Sequence, residues 1–229
     1  MKNTVVALIF LSLAACASGS KNVQKLDRLE SVGEDPRIIL MPPDIRYYVL
    51  TAAGMPEPHR EWTEAAQANF AEAALEYATG MGADLKILRK DNLGPEEIRY
   101  ETLHSAVGLT VRTHYFGSNK LPGKGENFDW SLGPEINAIG ENHNADYALF
   151  IHYRDYQATE ARVAFAILAA ASGFGSIDTG SESGFASLVD LKTGDIVWFN
   201  VVKAGKGEFR NRAGASRAVK GLFDEIPSR

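Results

Sequence analysis

The sequence predicts a mixed α/β domain, a β-sheet covered by helices. Three observations predict it. Short β-rich runs alternate along the chain with apolar residues at helical spacing. Asp146–Tyr153 is nearly continuous in apolar and aromatic residues, the pattern of a strand buried on both faces. Late in the chain two strand-like runs flank Lys192-Thr193-Gly194, and a one-faced helix follows.

Arg37-Ile38-Ile39-Leu40-Met41 predicts a first strand, stopped by Pro42-Pro43. Ile45–Thr51 predicts a second, broken by Gly54, Pro56 and Pro58. Trp62, Ala66, Phe70, Ala73 and Tyr77 lie on one stripe, with Glu61, Glu64 and Glu72 off it, which predicts a helix over 60–79 ended by Gly80 and Gly82. Asp84–Arg89 reads as a short strand. Pro95-Glu96-Glu97 is a good first helical turn, with proline tolerated and acids suiting the dipole, and that helix should run to about Tyr115. Residues 117–130 read as a loop, and Pro134 opens a short helix to about His143. Gly184–Leu191 and Asp195–Val202 predict a hairpin whose turn uses Gly194 for its positive φ. Ala215, Ala218, Val219, Leu222, Phe223 and Ile226 predict a closing helix that packs on the sheet. Tyr47 and Tyr48 should point to opposite sheet faces, and Trp62, Trp130 and Trp198 read as core or sheet-face residues.

The chain has 229 residues, 45% hydrophobic and 23% charged, enough for one domain with a real core. With 24 Lys+Arg against 29 Asp+Glu, a general nucleic-acid binder is not expected. The single cysteine excludes an internal disulfide and a multi-cysteine metal cage.

The N-terminus carries an address. Lys2 precedes the apolar run Val5–Leu11, and Leu13-Ala14-Ala15 leads into Cys16. This is the order of a secretory signal, and the run is too short for a spanning helix. Leu13-Ala14-Ala15-Cys16 resembles the lipobox of bacterial lipoproteins. The resemblance implies cleavage between Ala15 and Cys16 and acylation of Cys16, with the acyl chains as the membrane anchor. Residue 17 is Ala rather than the Asp that retains many lipoproteins in the inner membrane. The same resemblance therefore implies the periplasmic face of the outer membrane, with the inner membrane as the alternative. The expected organisation is a signal peptide over 1–15, a lipidated N-terminus and flexible tether over 16–36, and an α/β domain over 37–229. A short helical piece around Val23–Leu29 is expected within the tether.

One stretch does not fit a simple surface. Val163–Ala171 is apolar on every side, and Ser172-Gly173-Phe174-Gly175-Ser176 follows. Such a helix is either buried or covers a partner-binding surface, or else it is an element that inserts into a membrane or partner. For the second reading the contact residues are Val163, Phe165, Ile167, Leu168 and Phe174.

Patterns that carry chemistry are near misses. Glu101-Thr102-Leu103-His104 has the spacing of a di-iron helix, but such sites need a second copy and two further Glu. A solvated pair is expected instead, with no metal and no cofactor. Gly180-Ser181-Glu182-Ser183-Gly184 has Glu where a nucleophile elbow has Ser. Gly123-Lys124-Gly125 and Gly205-Lys206-Gly207 lack the spacing of phosphate loops. The histidines at 59, 104, 114, 143 and 152 show no ligand spacing. His152 is expected to pack in the core with a hydrogen bond, and His143 is close enough to Asp146 to pair with it. No catalytic residue is assigned.

Leu188–Trp198 resembles the late hairpin of envelope lipoproteins related to the curli-secretion channel protein and the activators of penicillin-binding proteins. Asn144–Phe150 resembles their preceding strand. The resemblance implies a fold akin to the amino-terminal domain of the Tol-Pal translocation protein. Pro42-Pro43 interrupts the early strand of that pattern, and no alternating pair of stretches suits a membrane hairpin. The expected function is a non-enzymatic, lipid-anchored periplasmic accessory protein. It would bind another envelope protein in assembly, secretion or cell-wall machinery, alone or as a homo-oligomer. The alternatives are a small-molecule or lipid binder using 163–177 and a hydrolase assembled from distant residues around His143 or His152.

Overall fold

The computed structural model describes residues 23–25, 36–124, 127–202 and 208–223. The signal segment, Cys16, the glycines at 125, 205 and 207, and Ile226 lie outside the described residues. The α/β class holds: one mixed sheet of eight strands carries helices on both faces.

The strands are β1 (Val23–Lys25), β2 (Ile38–Leu40), β3 (Asp44–Leu50), β4 (Pro56–Pro58), β5 (Leu85–Ile87), β6 (Tyr147–Ala158), β7 (Gly180–Asp190) and β8 (Ile196–Val202). The helices are α1 (Arg60–Gly80), α2 (Pro95–Val111), α3 (Asn137–His143), α4 (Glu160–Ala171) and α5 (Arg212–Phe223). From one edge the sheet runs β1, β8, β7, β6, all antiparallel. On the far side of β6 lie both β2 and β3, each parallel to it, and beyond them the edge divides: β5 continues from β2, and β4 from β3.

Pro42-Pro43 causes this division. Leu40 pairs with Leu149 and Asp44 with His152, so four steps on one strand face three on β6. The extra residue is a bulge, at a place where two prolines have no N–H to give the ladder. It shifts the alternation by one, so that Leu40, Ile45 and Tyr47 all stay on the same core face. It also turns Asp44 towards the opposite face, beside His152.

Two cores result. One lies beneath α1 and α5 and holds Phe70, Tyr153, Trp198, Val219 and Phe223. The other lies beneath α2 and α3 and holds Ile39, Tyr100, Ile139, Phe150 and Phe199. Successive residues of β8, Trp198 and Phe199, enter opposite cores, as the pleat requires. Gly108 lets α2 approach the sheet, for a Cβ there would lie 2.0 Å from the Phe185 ring.

Several expectations are corrected. The segment around Val23–Leu29 does not open as a helix: Val23–Lys25 is a strand on β8, inside the segment read as tether. Pro56 and Pro58 do not simply break the chain but form the exposed edge strand β4, where a missing donor faces outward. The second helix leaves α-geometry at Val111 and continues as a wider turn over Arg112–Phe116. The closing helix does pack on the sheet as expected, and it also rests on α1 through Phe223 against Phe70 and Tyr77.

Candidate functional site

The divided edge leaves a cleft of about 700 Å³ between the two helical layers. Its floor is the bulge, Pro42 and Pro43, and one wall comes from α1 through Ala68, Ala71 and Leu75. The opposite wall comes from α2 through Glu101, Thr102 and Ser105, and the end is closed by Ile87, the last residue of β5, and by Leu88–Asp91 after it. The carboxyl ends of the parallel strands β2 and β5 open into it, the usual place for ligands in α/β sheets.

Asp44 is the hub of its polar side. Arg154 Nη2 donates to Asp44 Oδ2 at 2.7 Å, and Arg154 Nη1 donates to the Asp44 carbonyl at 2.7 Å. Ser105 Oγ donates to Asp44 Oδ2 at 3.2 Å, and Arg46 Nε reaches Oδ1 at 3.1 Å. Burial works to raise the Asp44 carboxyl, but the bonds to His152 and Arg154 outweigh it and hold it well below the usual carboxylate range.

Glu101 differs. Its half-buried carboxyl has no hydrogen-bond or ion-pair partner among the described residues. Burial, then the negative charge of Asp44, push it up to about 7 against the pull of Lys90 and Arg46. Near neutrality it is poised between neutral acid and anion.

Ser105, His152 and Asp44 meet here, yet they do not form a relay. His152 Nδ1 lies 3.1 Å from both Ser105 Oγ and Asp44 Oδ2. A nucleophile–base–acid chain needs serine on one ring nitrogen and carboxylate on the other. One nitrogen facing both knits α2 to the sheet instead, with the ring stacked on Phe185. Among the described residues, no group of three or more His, Cys, Asp or Glu is placed to hold a metal ion.

The other singled-out residues separate. His104 is not solvated with Glu101; it is buried, stacked on Phe150, with Nε2 2.7 Å from Ser187 Oγ, and burial pushes its pKa down. His143 pairs with Glu97 at 2.8 Å rather than with Asp146, which holds Arg37. Gly180–Gly184 is the start of β7. Lys124 reaches Asp129 at 2.9 Å and the Trp130 ring. The three tryptophans divide: Trp198 is fully buried and Trp130 nearly so, while Trp62 is half-buried against His59. Sequence reasoning missed Asp44, Ser105 and Arg154. Asp44 directly after a proline pair was the one available signal.

The expectation of a buried helix at 163–171 is overturned. Only Ala169 of α4 is buried. Phe165 is 55% exposed, Ile167 64%, Leu168 65% and Phe174 88%, with Val163 also exposed. This helix caps the far end of the β6–β7 hairpin, held by the Thr159 side chain at its N-terminus and by Arg162 donating to the Asp178 carbonyl. Among the described residues no helix is long and apolar enough to cross a membrane.

No protein family, curated protein or solved structure matches this chain.

Proposed function

We propose that the chain is a lipid-anchored accessory protein of the bacterial envelope, acylated at Cys16 and facing the periplasm from the outer membrane. Its α/β domain binds another envelope protein of an assembly, secretion or cell-wall machine and performs no chemistry of its own. One observation carries the reading: Glu101, an unpaired, half-buried carboxyl in an open cleft with apolar walls. A lysine or arginine flanked by apolar residues on the partner complements it. The cation pairs with the carboxylate while its neighbours cover Leu75, Ala71 and Pro43. The Ser105–His152–Asp44 geometry counts against a hydrolase. The cleft takes none of its lining from 163–177, which counts against a small-ligand pocket walled by that segment.

The test is in-cell photo-crosslinking from Thr102, an exposed residue of the cleft wall. The expected product is one envelope protein, linked through a peptide that contains a basic residue, and lost on Glu101→Gln. Cys16→Ala should release the protein from the membrane fraction. Crosslinks that Glu101→Gln leaves unchanged overturn the cleft assignment. Retained membrane association of Cys16→Ala overturns acylation.

A further inference from the structure

We propose that the α4 end of the domain rests on the lipid surface of the membrane that holds the Cys16 acyl chains. The proposal rests on the acylation reading above and adds an orientation and a second contact.

The chemistry of the patch comes first. From Val163 to Ile177 the chain has 15 residues and no charged side chain. The large apolar ones among them, Phe165, Ile167, Leu168 and Phe174, point away from the core. An exposed apolar patch of this kind marks a contact surface. At 12 residues α4 is about 18 Å long, well short of the ~30 Å hydrocarbon layer, so it suits lying in the interface rather than crossing it. The charged groups bordering the patch, Glu160, Arg162 and Asp178, are of mixed sign, and Arg162 is occupied with the Asp178 carbonyl. The attraction is therefore apolar and not a matter of anionic headgroups.

Topology selects the membrane as occupant. β8 runs towards the α4 end, for Val202 pairs with Gly184 and Ile196 with Val189. β1 is antiparallel to β8, so the N-terminal end of β1 faces the α4 end of the sheet. Val23 stands level with Asn200, which pairs with Ala186. From Ala186 to the start of β7 at Gly180 is about 20 Å along the strand. Cys16 lies seven residues before Val23, a reach of at most about 25 Å. The anchor can therefore bring a lipid surface to the same end of the sheet as the apolar patch, which lies within the reach of that segment. The cleft stands beside His152, six residues back along β6 from Ala158, about 20 Å above that surface and open sideways to a partner.

The experiment uses the full acylated chain in phosphatidylethanolamine–phosphatidylglycerol vesicles. Cys16 carries the lipid, so a single introduced thiol accepts a fluorophore: Phe174→Cys on the patch, or Lys192→Cys in the exposed hairpin turn at the opposite end of β7. Nitroxide on the lipid acyl chains is expected to quench the label at 174 about tenfold more than the label at 192, with little change in salt. Adding Ile167→Glu and Leu168→Glu should remove that quenching while the protein still floats with the vesicles. Flotation without lipid quenching at 174 overturns the contact and leaves the anchor standing. This holds whether that label is open to aqueous iodide or shielded from both quenchers, as beneath a protein. Failure to float removes the anchor, and the orientation with it.

Discussion

Replacing Glu101 by Gln keeps the shape of the side chain and removes its ionisation. Burial and the charge of Asp44 raise this carboxyl from its ordinary 4.5 to about 7. In the unfolded chain it ionises near the ordinary value; in the folded protein it stays neutral to about pH 7. Stability present below pH 4.5 is therefore lost as the pH rises through 7. At 1.36 kcal/mol for each pH unit between the two values, the loss is bounded at about 3 kcal/mol. The side chain is partly solvated, and screening lowers this to about 1–2 kcal/mol. The variant should thus be more stable than the parent by about 1–2 kcal/mol at pH 8 and equal to it at pH 4. Urea denaturation at the two pH values reads the difference. An equal midpoint shift at both would show that Glu101 is ionised and solvated in the free protein, and the electrostatic case for the cleft would fail. The same substitution should abolish the crosslink from Thr102. Stability gained where binding is lost is the behaviour of a residue kept for a partner.

Asp44→Asn should cost about 3 kcal/mol at pH 7, because the Arg154 guanidinium, largely buried, loses its carboxylate. The Asp44 pKa is lowered by folding, so its contribution is present above the ordinary carboxylate value and lost as the pH falls towards the lowered one. The gap between parent and variant should begin to narrow below about pH 4 in acid titrations of stability and go on narrowing as the pH falls further, and a constant gap would contradict the pairing. Trp198→Ala removes a fully buried indole and should cost about 3–5 kcal/mol; an unchanged thermal midpoint would place the ring outside the core. Gly194 has φ of +80°, and a Cβ would lie 2.1 Å from the Gly133 carbonyl oxygen. Gly194→Ala should cost about 2 kcal/mol or more by chemical denaturation, and a neutral result would refute the turn geometry.

The main elements were legible because their signals are local. The stripe Trp62–Tyr77, the apolar run at 147–153 and the turn at Gly194 each require one period or one backbone angle, and each appears where expected. The edge strands were not. Pro56-Glu57-Pro58 becomes β4 only because Tyr48–Leu50 offers it a ladder, and Val23–Lys25 becomes β1 only because β8 has a free edge. The partner of β1 lies far away along the chain, and the partner of β4, though near, is met only through a turn; neither three-residue strand has a periodicity of its own. Glu101 was visible as half of a Glu-x-x-His pair, but its isolation was not. That isolation arises because His104, three residues on, turns to Ser187 on β7.

The sequence by itself determined the α/β class, the likeness of Leu13–Cys16 to a lipobox and the apolar character of 163–177. Each of these resides in neighbouring residues, whose chemistry needs no fold to be read. The tertiary structure decided which way that apolar stretch faces and what Asp44, Ser105, His152 and Arg154 do together. Exposure is a property of what fails to pack against a segment, and the cleft exists because one extra residue at Pro42-Pro43 divides a sheet edge. The same bulge keeps Ile45 and Tyr47 in one core while turning Asp44 to the other, an outcome set by pairing register across more than a hundred residues.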